Sequence, residues 1–397
     1  MSQPSARRPL RLAIVTTHPI QYQVPWFRAL SLLPGLDVTV LYAIIPDAEQ
    51  QGVGFSVNFR WDIPLLDGYR WQRLNNRART PSLGAFFGCN TPDVGRALNG
   101  FDAVIVHGWG VLSAQQALWA ARRLGIPCVL RGEASALRPW PYWRRLVYGA
   151  LLRRYVAFLA IGRANRAFYE RNDVPSERIF DAPYCVDNDR FATQAAALEP
   201  QRDILRNGWG IEDSSIAVLF SGKLIAKKRP LDLVNALGIA RRHNTRLRLL
   251  VVGDGPLRAE CEERARALHV PSTFLGFLNQ SRIAEAYVAA DCLILPSDHG
   301  ETWGLVVNEA MACGKPAIVS DRVGCHLDLI RPGQTGFVFP FGEVNELAAR
   351  LLELAGEPNR LTTLGTAARE HVRRNYSIET LLAGTVAALR SVVPQIS

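Results

Sequence analysis

Lysine is scarce in this chain: of 46 basic side chains only four are lysine, at 223, 227, 228 and 315, so the other 42 are arginine. No apolar run approaches the roughly 20 residues a helix needs to cross a bilayer, which excludes a protein built from membrane-spanning helices. The N-terminus carries arginines but only a short apolar stretch, too short for a signal-peptide core. It is expected to be a tail leading into a first strand. Seven cysteines (Cys89, Cys128, Cys185, Cys261, Cys292, Cys313 and Cys325) are scattered without a C-x-x-C pair. Reduced, mostly buried thiols and a cytosolic setting are therefore expected. No G-x-G-x-x-G element follows the first strand-like run of either half, which argues against a dehydrogenase with paired nucleotide domains. Fixed-period repeats and low-complexity tracts are missing as well.

What is present is an ordinary globular composition, 48% hydrophobic and 21% charged, in a chain of 397 residues, long enough for two cores. The formal charge of +10 is uneven. Residues 1–195 hold 23 basic and 14 acidic side chains, a net +9, and the remainder 23 and 22, a net +1. Strand-like apolar runs alternate with helix-length stretches, which predicts an α/β fold. The first half offers strands at 10–16, 38–42, 103–107, 127–130 and 158–161, the second at 216–221, 247–253, 273–276, 292–296, 317–320 and 337–339. The alanine-rich stretch 193–207, with a proline and mixed charge, is expected to be the interdomain linker. Residues 377–393 show helical periodicity.

The most informative segment is PSDHGETWGLVVNEAMACGKP, residues 296–316, with Glu301 and Glu309 eight positions apart. It follows a short apolar run stopped by Pro296, read as a buried parallel strand. Leu305 to Cys313 reads as a helix closed by Gly314 and Pro316. One carboxylate thus falls in a loop at a strand's C-terminal end, where open α/β sheets bind ligands, and the other within the following helix. The segment resembles the E-x7-E signature of retaining glycosyltransferases of family 4, the group 1 family with the two-domain GT-B fold. Thr302 and Trp303 stand where that family usually has Gly-Phe. The resemblance implies two Rossmann-like domains facing each other across a cleft: 1–195 for the acceptor and 205–376 for the nucleotide sugar, with helix 377–397 crossing back to the first. It implies that Glu309 takes the ribose hydroxyls and that Glu301 faces the donor sugar. Backbone N–H groups from Thr302 through Trp303 and Gly304 to Leu305, at a helix N-terminus, suit sugar or phosphate oxygens.

Three of the four lysines fall together in FSGKLIAKKRP, directly after a strand and Gly222. An ammonium acts as a point charge for phosphate, where a guanidinium imposes a fork. The run resembles the family's F-x-G-R-L-x-x-x-K-G element, which places Lys223 and Lys228 on the donor diphosphate, with Lys227 as a surface residue. Lys223 stands at an arginine slot and Arg229 at a glycine slot. Gly253-Asp-Gly-Pro resembles the family's V-G-x-G-P turn beside the nucleotide, and Gly276 with Phe277 falls where its base-contacting backbone lies. The D-x-D at Asp187–Asp189 matches an interdomain turn; no metal and no further cofactor is expected, because lysines supply the charge.

In the first half, His18 and Gln21 lie in His-Pro-Ile-Gln-Tyr, where most members carry a glycine-rich loop; the sequence resembles the version in a subset of bacterial members. His18 and Gln21 offer hydrogen bonds to donor or acceptor, or His18 caps a turn. Glu133 follows another strand and either meets sugar and the acceptor proton or pairs with Arg131 or Arg138. His107 ends the run FDAVIVHG as a further cleft candidate. Residues 138–155 interleave aromatics with arginine pairs, which suits a helix on an anionic membrane surface, a holder for an acidic or lipid-linked acceptor, or a helix packed on the core with a basic edge. Nucleic acid is not indicated, since no recognition motif accompanies the charge. The expected activity is a retaining, metal-independent transfer of a sugar from a nucleotide diphosphate to a lipid-linked saccharide or growing bacterial surface polysaccharide. The expected location is the cytoplasm, peripheral to the inner membrane face. The alternatives are another enzyme of that fold, an epimerase or phosphorylase, or a non-catalytic two-lobed sugar-binding protein.

Overall fold

The computed structural model describes residues 8–52, 58–357 and 359–393. The N-terminal tail and the last four residues of the expected terminal helix lie outside the described residues. The chain divides into two compact units: Met1–Asp47 with Pro64–Pro183 and Ile378–Ser397, and Ala48–Ile63 with Tyr184–Ser377.

In the first unit seven parallel strands, β1 (Leu10–Thr16), β2 (Leu36–Tyr42), β3 (Arg70–Arg73), β4 (Ala103–His107), β5 (Cys128–Arg131), β6 (Ala157–Ala160) and β7 (Ile179–Asp181), stand in the order β3-β2-β1-β4-β5-β6-β7. In the second, six parallel strands, β8 (Ile216–Ser221), β9 (Leu247–Val252), β10 (Ser272–Phe274), β11 (Cys292–Leu295), β12 (Ala317–Ser320) and β13 (Gly336–Phe339), stand in the order β10-β9-β8-β11-β12-β13. Central strands covered by helices on both faces need apolar residues throughout, which is why every residue of β8 and β11 is buried. Val218, Phe220, Leu249 and Ile294 pack there with Leu233 and Leu237 of the helix Pro230–Ala240. In the first unit Val104, Val106 and Leu130 pack against Ala117, Leu118 and Ala121 of Leu112–Leu124. The terminal helix Ile378–Val392 belongs to the first unit and lies against β6, β7 and the helix Val24–Ser31.

Two expectations are corrected. Residues 193–207 are not a linker but the helices Asn188–Leu198 and Arg202–Gly208, anchored in the second unit. Arg202 and Arg206 grip the Asp291 carboxylate at 2.5 and 3.2 Å, and Arg206, 1% exposed, also donates to the Glu212 and Ser215 carbonyls. Alanine and mixed charge suggest a linker by composition, yet alanine and arginine are strong helix formers. The second correction is Ala48–Ile63, which joins the second unit although it lies deep in the first half of the sequence. Its Asp62 accepts hydrogen bonds from the Ser281 backbone N–H, and the Phe59 ring lies 4.1 Å from that of Phe277.

In both sheets the chain builds outward from its first strand in one direction and then returns to build on the other side. The reversals fall between β1 and β4 and between β8 and β11. Connections there leave for opposite faces, so the carboxyl ends of those strands flank a crevice.

Candidate active site

In the second unit the chain leaves β8 through Gly222 and Lys223, passes the short turn Ala226–Lys228 and enters the helix Pro230–Ala240. The loop after β11 carries Glu301 back against that turn, and the Lys228 ammonium pairs with Glu301 Oε2. Both side chains are only about 15% exposed, at 14% and 15%. Asp298 N donates to the Lys227 carbonyl at 2.9 Å, Glu301 N to the Asp298 carbonyl at 3.0 Å, and Gly324 N to the Glu301 carbonyl at 3.0 Å. Glu301 is thus fixed by its own backbone as well as by its lysine.

Lys223 is half-buried at the same strand end, and its pKa is lowered by burial first and by Lys227 and Lys228 next. Three ammonium groups that repel one another at a switch point form a place where an anion is stabilised. Gly253 is required by close approach: a Cβ there would sit 2.0 Å from the Gly222 carbonyl oxygen, and its φ is +119°. The turn after β9 therefore packs backbone to backbone against the lysine loop, tied by Leu224 N to the Asp254 carbonyl at 2.9 Å. Arg229 occupies the slot expected to favour glycine, and its φ of +52° shows why. A left-handed arginine costs roughly 1–2 kcal/mol. Its guanidinium offsets part of that through two hydrogen bonds to Asp232, at 2.8 and 2.9 Å.

The helix Leu305–Ala312 starts just after Glu301. The Trp303 side chain is 3% exposed and donates its indole N–H to Asn308 Oδ1 at 2.8 Å. Thr302 is half-buried, Trp303 and Gly304 are buried, and Leu305 opens the helix. Glu309 is 2% exposed, and its Oε2 accepts a hydrogen bond from the Tyr287 hydroxyl at 2.5 Å. Gly276 lies beyond β10, its carbonyl accepting from Gly253 N at 2.7 Å. Phe277 beside it is covered by Phe59, with Trp61 at 6.2 Å between centroids. Asn279 Nδ2 holds the Arg60 carbonyl at 2.6 Å, so residues 59–62 form a strap over this loop.

In the first unit the β1–β4 reversal gathers His18 and His107. His18 Nδ1 lies 2.9 Å from Thr17 Oγ1, and Gln23 Nε2 donates to His107 Nε2 at 3.0 Å. Burial lowers His18 to about 4, and burial followed by Arg131 and His18 lowers His107 to about 3. Both imidazoles are neutral near pH 7 and present hydrogen bonds rather than charge. Gln21 is half-buried in the same loop. Glu133, two residues past β5, is also half-buried; burial raises the pKa of Tyr169 behind it, and Glu133 adds a smaller push in the same direction. The Arg131 guanidinium, proposed as its partner, donates to the Ala182 carbonyl at 2.7 Å and lies over the Trp26 ring. Asp187 caps the helix Asn188–Leu198 by accepting from Arg190 N at 3.0 Å. All seven cysteines are buried and unbridged.

Within each unit, then, the expected residues converge at the strand reversal: Lys223, Lys228 and Glu301 in one, His18 and His107 in the other. Tyr287, Gln23 and the strap escaped the sequence reading. Tyr287 lies in a helix rich in alanine that reads as core, and the strap is separated from its loop by about half the chain. Gln23, two residues past Gln21, repeats the same residue type and was the one with a readable signal.

Comparison with known proteins finds relatives over most of the chain. Residues 201–371 match the model described as glycosyl transferases group 1, and residues 26–185 that of a glycosyl transferase 4-like domain. The chain is 32% identical over 293 residues to a GDP-mannose-dependent alpha-mannosyltransferase of Mycobacterium tuberculosis, covering 70% of this chain and 71% of that one. It is 27% identical to a D-inositol 3-phosphate glycosyltransferase of Rhodococcus erythropolis, over 96% and 91% of the two chains. Among solved structures, a glycosyltransferase from Rickettsia africae superposes with a TM-score of 0.75 at 15% identity, over 98% of this chain and 100% of that one. The HepE protein of Anabaena, crystallised with UDP and glucose, gives 0.71 at 17% identity, over 96% and 100%. At these identities the likeness to solved structures establishes the fold.

Proposed function

The chain belongs to the glycosyl transferases group 1 family, and from that premise we propose that it is a retaining, metal-independent enzyme that moves a sugar from a nucleotide diphosphate onto a lipid-linked saccharide or growing surface polysaccharide. The observation that carries the donor assignment is the crowding of Lys223, Lys227 and Lys228 beside Glu301 at the β8–β11 reversal. A diphosphate placed there relieves the repulsion among the lysines. The relatives named above use GDP-mannose in one case and bind UDP in another, so a purine or pyrimidine donor fits the family.

As the bond from the anomeric carbon to the diphosphate breaks, its electron pair passes to the departing phosphate oxygen. Lys223 and Lys228 stabilise that growing charge more than they stabilise the bound donor, and so accelerate the step. The acceptor hydroxyl oxygen bonds the anomeric carbon on the face the diphosphate leaves, and its proton goes to the departing oxygen. Glu301 orients the donor sugar and supports its positive charge; Glu309 takes the ribose hydroxyls by exchanging its contact with Tyr287. His18, Gln21 and His107 act as neutral hydrogen-bonding groups on the acceptor side. The lysines supply the positive charge that a divalent ion brings in other transferases. Asp187 already works as a helix cap.

The test is a thermal-shift panel of nucleotide sugars, followed by product analysis with the stabilising donor. A ligand that binds only the folded chain raises the melting temperature. The proposal expects one or two donors to stabilise, slow release of nucleoside diphosphate without acceptor, and unchanged activity in a chelator. The transferred sugar keeps its anomeric configuration by NMR. An inverted product refutes retention, chelator-sensitive turnover refutes metal independence, and epimerised donor without nucleotide release refutes transfer.

A further inference from the structure

We propose that the helix Tyr142–Leu152 of the first unit is a docking surface for an anionic lipid bilayer. The sequence left three readings open for this segment, a membrane face, a holder for an acidic or lipid-linked acceptor, or a helix packed on the core, and the structure shows that the helix has separate faces for the first and the last. Leu152, 1% exposed, lies in the core with the Tyr148 and Leu151 side chains packed against it. Trp143, Leu146 and Val147 are 61%, 73% and 55% exposed. Their spacing of three and four residues puts them on one helical face, roughly opposite Leu152. This tryptophan, leucine and valine face solvent on a single stripe and lie outside the unit's core.

Charge selects the occupant. Between Ala134 and Tyr169 there are seven arginines and no acidic residue; Arg145 pairs with Asp173 and Arg166 with Asp181 and Glu170, while Arg144, Arg153 and Arg154 form no such ion pair among the described residues. Arg144 lies over the Trp143 ring at 5.3 Å, and Arg153 is exposed at the end of the helix. Arg154 continues the surface onto Trp119, itself 45% exposed, at 5.1 Å. An apolar stripe bordered by guanidinium groups matches acyl chains beneath phosphate headgroups, with the indole at the boundary between them. A second copy of this chain would bring the same arginines against each other, so self-association is disfavoured by charge. The helix is too short to span a bilayer, and no described helix is long and apolar enough to do so. It lies in the surface.

This inference stands on the helix alone and does not depend on the donor assignment. The test is co-sedimentation of the full chain with phosphatidylcholine vesicles, with and without about one-third phosphatidylglycerol. Binding is expected only to the anionic vesicles, with release at high salt. Two double variants, Trp143→Ser with Leu146→Gln and Arg144→Gln with Arg153→Gln, are each expected to weaken binding at least about tenfold. Ile204→Ser, which removes a side chain 72% exposed in the other unit, leaves binding unchanged. Circular dichroism and melting of each variant establish that it is folded. Equal or negligible binding to both vesicles overturns the proposal, as does wild-type binding by both double variants. A dimer in sedimentation velocity that dissociates in the Leu146→Gln protein also overturns it, in favour of a self-interface.

Discussion

Replacing Lys228 with alanine is the most revealing perturbation of the proposed donor site. On the proposed function the ammonium has two tasks: it pairs with Glu301 in the free protein and stabilises the departing diphosphate during the reaction. The first sets the expected stability change. The pair is largely but not fully shielded, at 14% and 15% exposure. Removing one partner of a hydrogen-bonded pair leaves the other partly desolvated, a loss of about 1–3 kcal/mol. The second sets the rate. Deleting one preorganised group facing transition-state charge costs about 2.7–4 kcal/mol, or roughly 10²–10³ in kcat. Because that charge grows only as the bond breaks, kcat falls further than donor affinity does. Lys228→Arg keeps the charge but spreads it over a fork, and recovers part of the loss. The assay is steady-state release of nucleoside diphosphate with the stabilising donor, beside thermal unfolding of each variant. A folded Lys228→Ala protein with near wild-type kcat refutes the role.

Three further outcomes follow from the same geometry. Tyr287→Phe frees the Glu309 carboxylate from its hydroxyl partner and lowers the donor Kd by a few-fold, whereas Glu309→Ala raises the donor KM at least about tenfold, the worth of a charge-assisted hydrogen bond; titration calorimetry with nucleoside diphosphate distinguishes a ribose role from a purely structural one. Lys223 has its pKa lowered in the free protein, and a bound diphosphate raises it again, so affinity is full below the lowered value and is lost as pH climbs through that value toward the restored one. The Kd of nucleoside diphosphate measured through the alkaline range shows this slope in the wild type and loses it in Lys223→Arg; a flat wild-type profile contradicts it. Asp62→Ala removes the strap's hold on Ser281, costs about 1 kcal/mol of stability, and raises donor KM several-fold with kcat unchanged, as read by melting and steady-state kinetics. An unchanged KM would make the strap purely structural.

Much of the fold was readable because parallel strands buried on both faces announce themselves as apolar runs: β1, β4, β8 and β12 fall at the predicted bounds. The edge strands β3 and β7 did not. Arg70–Arg73 has every residue exposed and only Trp71 as a large apolar side chain, so no burial pattern exists to detect. The loops proposed to hold the donor were legible as loops because backbone demands leave residues behind: Gly222 and Gly253 where two turns meet, and lysines among arginines. Glu309 and Trp303 show the limit. Periodicity places them on a helix or at its start, but only coordinates show that one carboxylate oxygen meets Tyr287 and that the indole turns inward to Asn308. Ala48–Ile63 was out of reach because nothing local in its sequence names the loop some 200 residues later that it covers.

The central claim, a lysine cradle for the donor diphosphate at the β8–β11 reversal, is tested most directly by a crystal structure with the nucleoside diphosphate that best stabilises the protein. The account predicts phosphate oxygens within hydrogen-bonding distance of both Lys223 and Lys228, with the Lys228–Glu301 contact exchanged for the ligand. A diphosphate seated elsewhere, with that ion pair intact, contradicts it.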